Sequence, residues 1–283
     1  LIFPEFDSLE RLDLLKKICN YPRINRDILL MTLLIDKKNN HEYFSHKYPV
    51  SNDIKENLNL YAKYGLSENW NVITYIPFYV KTYQNHVVSE VTGEKITNGE
   101  EFSSFGDMDL GIEYRLFKKS KHAFSAVFTL GIPSGNNNAG SDGSYQTGDG
   151  EFNEEIRINA GTSFKISTLS FYAKAYLGFN NRTENFSDEI RTGFELGTSF
   201  FQKKLLLLMR SNIVESLRNG SLNAANSNGS IFANNVEFAG LGGEIAWKFT
   251  ENLGVSFGYG GALSGRLIYA SPSYSAGLFY LLK

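Results

Sequence analysis

Three successive segments between Glu151 and Phe201 alternate apolar and polar residues almost without interruption. Successive side chains of a β-strand point to opposite faces, so a period of two predicts strands with one apolar and one polar face. In the first segment the apolar face carries Ile156, Ile158, Ala160, Thr162, Phe164 and Ile166, and the polar face carries Glu155, Arg157, Asn159, Ser163 and Lys165. The segments 168–180 and 188–201 repeat this pattern.

These strands are long, and their polar rows carry charges of both signs. In a soluble sandwich the apolar rows would face each other across a core, and the charged rows would face solvent. Long strands with wet, charged rows are typical of barrels that keep lipid outside and water or ion pairs inside. The sequence therefore predicts an all-β fold, a transmembrane, antiparallel, up-and-down β-barrel of about 12 strands, multi-pass in the outer membrane of a Gram-negative cell.

Composition is consistent with a barrel and excludes several other classes. The chain has 283 residues, a net charge of −2, 26 glycines and 14% aromatic residues. The near-neutral charge gives no reason to expect a nucleic-acid partner. No apolar run approaches the roughly 18 residues that a membrane-spanning helix needs. Cys19 is the single cysteine, so no disulfide forms within the chain.

Eleven strands are predicted, and the connections between them alternate strictly between short and long. The strands are 57–64, 69–83, 106–117, 121–133, 152–166, 168–180, 188–201, 203–216, 236–249, 252–264 and 273–282. Outer-membrane barrels alternate short periplasmic turns with longer outer loops and have even strand numbers, so we expect a twelfth strand within Glu42–Val50. The barrel is thus assigned to residues 41–283. In residues 1–40, LERLDLLKK and DILLMTLLIDKK resemble helices, which could form a periplasmic helix, a plug or a leader.

Aromatic residues cluster at the ends of the strands that meet the short turns. They are Trp70, Phe117, Phe124, Phe164, Phe171, Phe200, Trp247 and Phe249. Aromatic rings favour the headgroup level of a bilayer, so we interpret this cluster as a periplasmic girdle. Ordinary strand propensity is the alternative explanation.

The parity of each strand assigns a set of charged residues to the lumen. The mid-lumen set is Glu113, Lys174, Glu195, Arg210 and Glu244, and the set near the outer mouth is Asp107, Asp109, Glu155, Arg157, Glu189 and Arg191. Charges in a wet lumen form ion pairs that lock a narrow barrel, or they form spaced rings that select solutes. The sequence leaves both roles open.

No catalytic residues, metal site or cofactor are predicted. Four histidines are present, and His122 falls at a short turn, whereas His86 opens a long loop. Asp107 and Asp109 beside His86 would leave a protease of the omptin type as a remote alternative. The loop GSDGSYQTGDGEFNEE carries Asp142, Asp149, Glu151, Glu154 and Glu155, but their spacing does not match an EF-hand, so we expect a solvated outer loop rather than a calcium site.

A resemblance to a known family covers about residues 56–282. It is carried by YAKYGLSENWNVITYIPF, GDMDLGIEYRLF, FTLGIPSG, GDGEFNEEIRINAGTSF and GFNNRTENFSDE. These motifs resemble outer-membrane proteins of the phenol meta-pathway transporter-like family, with the nearest similarity in Bacteroidota. The resemblance implies a barrel that takes up small, often hydrophobic, molecules passively, and it implies no catalytic residues.

Two functions follow as hypotheses. The first is a channel for passive diffusion of small solutes through the outer membrane. The second is a non-conducting barrel that serves as a partner or scaffold of other outer-membrane proteins. Whether the mid-lumen charges close on one another or leave a continuous water path distinguishes the two.

Overall fold

Twelve antiparallel strands close into one barrel. A computed structural model describes residues 28–37, 53–84, 87–88, 92–141, 143, 145–221, 224, 232–268 and 272–281. Its strands are β1 Ile28–Lys37, β2 Asp53–Gly65, β3 Trp70–Gln84, β4 Val87–Val88, β5 Lys95–Thr97, β6 Glu100–Ser104, β7 Met108–Lys119, β8 His122–Ile132, β9 Asn153–Ile166, β10 Leu169–Arg182, β11 Glu189–Phe200, β12 Leu205–Ser216, β13 Glu237–Lys248, β14 Leu253–Arg266 and β15 Ser273–Leu281. The prediction of an all-β, up-and-down barrel is confirmed.

Closure of the barrel depends on the first strand. β1 pairs with β2 on one side and with β15 on the other, and every other barrel strand pairs with its neighbours in the sequence. The ring is therefore β1, β2, β3 and β7 to β15. β6 lies outside this count because it extends the line of β7 along the outer part of β3, and β4 and β5 form a separate small hairpin.

The twelfth strand is not where the sequence suggested. Ile28–Lys37 is β1, so the helical interpretation of DILLMTLLIDKK is wrong for these ten residues. The segment is apolar at nearly every position, and a short continuous apolar run cannot be assigned to strand or helix by periodicity. The expected strand within Glu42–Val50 lies outside the described residues, as does the segment LERLDLLKK.

The connections separate by length between the two ends of the barrel. Short turns at 66–69, 120–121, 167–168, 201–204 and 249–252 lie at one end, which we call the short-turn end. Longer connections such as 133–152 and 217–236 lie at the other, which we call the long-loop end. The tightest turns need left-handed backbone, and Ser167 has φ 53° for this reason.

The outer face of the barrel is apolar. Ile156 and Leu177 are each 60% exposed, and exposed apolar side chains continue on the barrel strands from β2 to β15. Alternate residues on the same strands are buried and polar, as with Glu155 beside Ile156. Strands that expose apolar rows and bury polar rows are suited to lipid outside.

The predicted aromatic girdle lies at the short-turn end and makes contacts between neighbouring strands. Phe164 stacks on Phe171 with ring centroids 5.6 Å apart, and Phe117 meets Phe124 at 6.1 Å. Trp70 also packs against Tyr114 at 4.6 Å. The two phenylalanine pairs join strands that a short turn connects, and the Trp70–Tyr114 pair joins β3 to β7. Rings at these positions contribute both lipid contact and cross-strand packing.

Candidate functional site: the barrel interior

Arg182 is the centre of an ion-pair network near the long-loop end. Arg182 is the last residue of β10, and its side chain points inward. Its guanidinium contacts Glu151, Glu189 at 2.8 Å and Asp149 at 3.3 Å. The same guanidinium lies 4.5 Å from the centre of the Phe186 ring. An arginine presents five donors in a rigid fork, which lets one side chain hold several carboxylates.

The network continues along the wall through two more arginines. Arg191 bridges Glu189 at 2.7 Å and Glu155 at 3.1 Å, and Glu155 also contacts Arg157 at 2.5 Å. Arg157 in turn lies 4.5 Å from the centre of the Tyr176 ring. We call this set, together with Arg182 and its carboxylates, the arginine network. Three guanidiniums thus meet four carboxyl groups at the wall.

A second group of paired charges lies lower in the lumen. Arg210 of β12 contacts Glu244 of β13 and lies 3.9 Å from Glu195 of β11. Glu195 also accepts a hydrogen bond from the Tyr172 hydroxyl. Lys174 stands directly opposite Glu195 in the β10–β11 ladder. The interior face of β9–β12 therefore carries interlocked charges along most of its height, and we call it the charged wall.

Glu113 belongs to a different part of the lumen. On β7 it accepts a hydrogen bond from the Asn71 side chain at 2.8 Å and pairs with Lys63 of β2 at 2.7 Å. Both members of this ion pair are buried. The pair links β2 to β7 across β3, so these two charges also neutralise each other.

Large interior side chains of the charged wall lie over glycines of the neighbouring strand. A Cβ atom at Gly197 would come within 2.2 Å of the Tyr172 ring, and one at Gly193 within 2.7 Å of the Tyr176 ring. The Tyr176 hydroxyl reaches beyond Gly193 to Asn212 of β12 at 3.2 Å. The absence of a Cβ at these positions lets the rings lie along the wall rather than project across the lumen.

The interior face of β13–β15 is lined mainly by small residues, and we call it the small-residue wall. Its inward positions include Gly240, Gly242, Ala246, Gly254, Ser256, Gly258, Gly260, Ser273, Ser275 and Gly277. Glu244 is the charged exception, and it is held by Arg210 of the charged wall. Phe279 and Leu281 are the large apolar exceptions, at the short-turn end of β15. Of these two walls, the charged wall carries most of the large side chains.

An apolar cluster lies inside the barrel at the short-turn end. Tyr172, Leu206, Leu208, Ala246 and Phe279 pack together and are buried. The Phe279 ring covers Gly254, where a Cβ would come within 2.3 Å of it. This cluster explains the sequence LLLLM, because Leu206 and Leu208 face the lumen while the alternate leucines face lipid.

The loop 133–152 folds into the barrel instead of standing in solvent, which corrects the expectation of a solvated loop. Tyr145, Gln146 and Thr147 are buried. The Thr82 hydroxyl of β3 donates to the backbone carbonyl of Gln146 at 3.2 Å, and the backbone N–H of Asn136 donates to the Thr147 hydroxyl at 2.9 Å. The loop therefore narrows the lumen from the long-loop end.

Asp107 fastens this loop. Its carboxylate accepts backbone N–H groups from Gly135 at 2.9 Å and Asp149 at 2.7 Å. Burial and the neighbouring Asp149 charge raise the pKa of Asp107 to about 7. Burial likewise raises the pKa of Glu151, in the same loop, to about 8, against the opposing effect of Arg182.

The structure divides the predicted lumen residues into separate groups. Glu195, Arg210 and Glu244 form one cluster that Lys174 faces across the ladder, and the mouth residues Glu155, Arg157, Glu189 and Arg191 join the arginine network. Glu113 is apart from both clusters, Asp107 holds the loop, and Asp109 stands opposite Tyr75 on β3.

Sequence reasoning missed several participants in these groups. Arg182 was lost because the predicted strand stopped at residue 180, although the inward parity of β10 continues to residue 182. Lys63 and Tyr172 lie on inward parities that could have been included from the alternation alone. Of the loop carboxylates, Asp149 and Glu151 contact Arg182, Glu154 is exposed, and Asp142 lies outside the described residues.

The described residues include one of the four histidines. His122 is exposed at the short-turn end, opposite to Asp107, and His41, His46 and His86 lie outside the described residues. Within the described ranges, no group of three or more His, Cys, Asp or Glu side chains is arranged to hold a metal ion. The described residues also contain no helix that is both long and apolar enough to cross a membrane.

Comparison with known proteins supports the fold. No protein-family model and no curated protein matches the chain. Among solved structures, the COG4313 outer membrane channel from Pseudomonas putida F1 is similar with a TM-score of 0.52 and 14% identity over 93% of this chain and 96% of that one. The NanC porin is similar with a TM-score of 0.50 and 7% identity over 89% and 98%. At these identities the likeness shows a shared fold, that of outer-membrane β-barrels, and it agrees with the lipid-facing exterior.

Proposed function

We propose that this chain is an outer-membrane channel through which small solutes diffuse passively. The observation that carries the proposal is the uneven interior of the closed barrel. The charged wall holds its side chains in ion pairs over glycines, whereas the small-residue wall presents little bulk to the lumen. An arrangement that keeps large groups to one side favours a path along the other.

The likeness to a channel and a porin of the same fold supports this proposal without fixing the solute. The resemblance to the phenol meta-pathway transporter-like family extends it to solutes with hydrophobic parts, and to a Bacteroidota source. Because passage would need only binding and diffusion, the proposal includes no catalytic step and no cofactor. The partners would be the lipid bilayer and the solute.

Single-channel recording in planar bilayers tests the proposal. Purified full chain should give discrete current steps, and a variant that lacks residues 1–26 should insert equally well because β1 begins at Ile28. Deletion through Lys37 removes β1 and serves as the control that cannot close the barrel. Steps that appear only in the shorter folded variant would show that the N-terminal segment blocks the pore, and no steps from either folded form would contradict the channel.

A second candidate is a non-conducting barrel that binds other outer-membrane proteins. The observations in its favour are the inward-folded loop 133–152 and the apolar cluster, which narrow the lumen from opposite ends. The same recordings separate the two functions, because a folded barrel without current is the result that this candidate predicts.

A further inference from the structure

We propose that the β2–β3 wall, under the loop 133–152, holds a binding site for a neutral solute that carries hydroxyl groups. The site consists of Asn57 and Asn59 on β2, Tyr75 on β3 and Gln146 in the loop. The inference rests on the proposed channel function, since it names the class of solute that would pause in the lumen.

Buried polar atoms without partners mark the site. Asn59 is 2% exposed, and neither its Oδ1 nor its Nδ2 has a hydrogen-bond partner in the described part of the chain. The same holds for Asn57 Oδ1, for the Tyr75 hydroxyl and for Gln146 Oε1. Buried polar groups are nearly always hydrogen-bonded in native proteins, so a concentration of unpartnered atoms points to a ligand. Because both terminal atoms of Asn59 lack a partner, the conclusion does not depend on how its amide is oriented.

The strand register brings these residues together. Asn57 and Asn59 occupy alternate positions of β2 and therefore share the inward face. Asn59 pairs with Pro77, and Tyr75 stands two residues before Pro77 on β3. Such diagonal neighbours are roughly 7–8 Å apart, within reach of a tyrosine side chain.

The loop forms the roof of the site. Asn57 pairs with Val80, and Thr82 is the next inward residue of β3. The Thr82 hydroxyl donates to the Gln146 carbonyl, while the Gln146 side chain uses its amide nitrogen to donate to the Asn137 carbonyl at 2.7 Å. Gln146 Oε1 is thus left as an acceptor above the two asparagines.

The chemistry of these groups indicates a neutral ligand. Asn59 offers a donor and an acceptor, Tyr75 a hydroxyl, and Asn57 and Gln146 acceptors, which is the mixture that hydroxyl groups satisfy because they both donate and accept. The nearby Lys63–Glu113 ion pair is already closed at 2.7 Å. None of the four residues of the site carries a charge, so a charged solute would lose its hydration without gaining a counter-ion from them.

Ligand-observed NMR on the purified full chain in detergent micelles tests the site with erythritol as the probe. Dimethoxyethane, which has acceptor oxygens but no donor, is the comparison solute. We expect saturable erythritol binding that weakens roughly tenfold in Asn59→Leu and in Tyr75→Phe, the scale of one or more uncharged hydrogen bonds. Asn212→Leu, an inward asparagine on the charged wall, should bind erythritol as the unmodified chain does.

The outcomes separate this site from the channel itself. Equal erythritol binding in all variants, no binding by the unmodified chain, or equal binding of dimethoxyethane would overturn the site and leave these atoms to bound water or to residues outside the described ranges. Binding does not require conduction, so a conducting barrel that ignores erythritol refutes only the site. A barrel that binds erythritol but passes no current refutes only the channel. Tyr75→Phe removes a single oxygen, which protects the test against loss of folding.

Discussion

Two walls of the interior, β9–β12 and β13–β15, solve the same problem in opposite ways. The charged wall pairs most of its charged groups with one another, through Arg182, Arg191 and Arg210, and lays its rings over glycines. The small-residue wall has few polar side-chain groups to satisfy, because most of its inward residues are glycines, whose backbone is already paired in the ladder, and the others are mainly serines, such as Ser273, whose hydroxyl donates to the Gly260 carbonyl. Of these two walls, the charged wall therefore carries most of the bulk and the charge.

This difference teaches that charge in a barrel interior does not by itself indicate a charged path. Paired guanidiniums and carboxylates are held in place, and their fields cancel at short range, so they stiffen the wall. The small-residue wall, whose charged residue Glu244 is held by Arg210, is then the side on which a solute meets the least obstruction.

The largest effect is expected when bulk is placed on the small-residue wall. Gly242 faces the lumen, and its neighbour Gly243 faces lipid. Gly242→Phe should abolish most of the single-channel conductance, whereas Gly243→Phe should leave it unchanged because an apolar ring suits the lipid face. Recordings on both variants in the same bilayers measure the contrast, and equal currents would show that the path lies elsewhere.

The next effect concerns the stability of the charged wall. Arg182→Met removes the shared partner of three carboxylates in a buried setting, so it should lower the free energy of unfolding by roughly 3–5 kcal/mol. Arg218→Met is the matched control, because that arginine pairs with Glu237 while 62% exposed, and its loss should cost under about 1 kcal/mol. Urea unfolding in detergent, followed by tryptophan fluorescence, compares the two variants. Similar losses would mean that the arginine network does not stabilise the wall.

A smaller effect is expected on ion selectivity. Arg210→Gln leaves Glu195 and Glu244 without their guanidinium, so the lumen should become more selective for cations and its conductance should change. Arg210→Lys keeps the charge but loses the fork that reaches both carboxylates, and should restore only part of the original selectivity. Reversal potentials in a salt gradient measure this. An unchanged reversal potential in Arg210→Gln would exclude Arg210 from the ion path.

Much of the fold could be predicted from the sequence, because barrel strands alternate apolar and polar residues and so can be recognised along the chain. The strands from β9 to β11 show clear period-two rows, and the short and long connections label the two ends. β1 could not be found this way, since ILLMTLLIDK is apolar on both parities and its assignment requires the pairing with β15. The strand conformation of β1 depends on its pairing with β15, which lies at the other end of the chain.

The site was predictable in its members but not in its groupings. Parity selected Glu195, Arg210 and Glu244 as lumen residues, yet only the register between strands shows that they meet. The inward course of loop 133–152 left no signal in the sequence, because its glycines and polar residues suit a solvated loop equally well. Buried, unpartnered atoms such as those of Asn59 appear only when the surroundings of each atom are known.

The smallest effect concerns pH and the attachment of loop 133–152. Asp107 has a pKa of about 7 when the loop is docked, against an ordinary value of 3.8, so the docked state favours the protonated carboxyl. Docking should therefore be strongest near pH 4 and weaken as the pH rises toward 7, where a released carboxyl has already lost its proton. Glu151 acts in the same direction up to about pH 8. Protease cleavage within the loop, measured from pH 5 to pH 8 on the folded barrel, should accelerate with pH in the unmodified chain, more weakly in Asp107→Asn, and least in the double variant with Glu151→Gln. A pH profile that survives both substitutions would assign the titration to other groups and leave the loop fastened by its backbone hydrogen bonds alone.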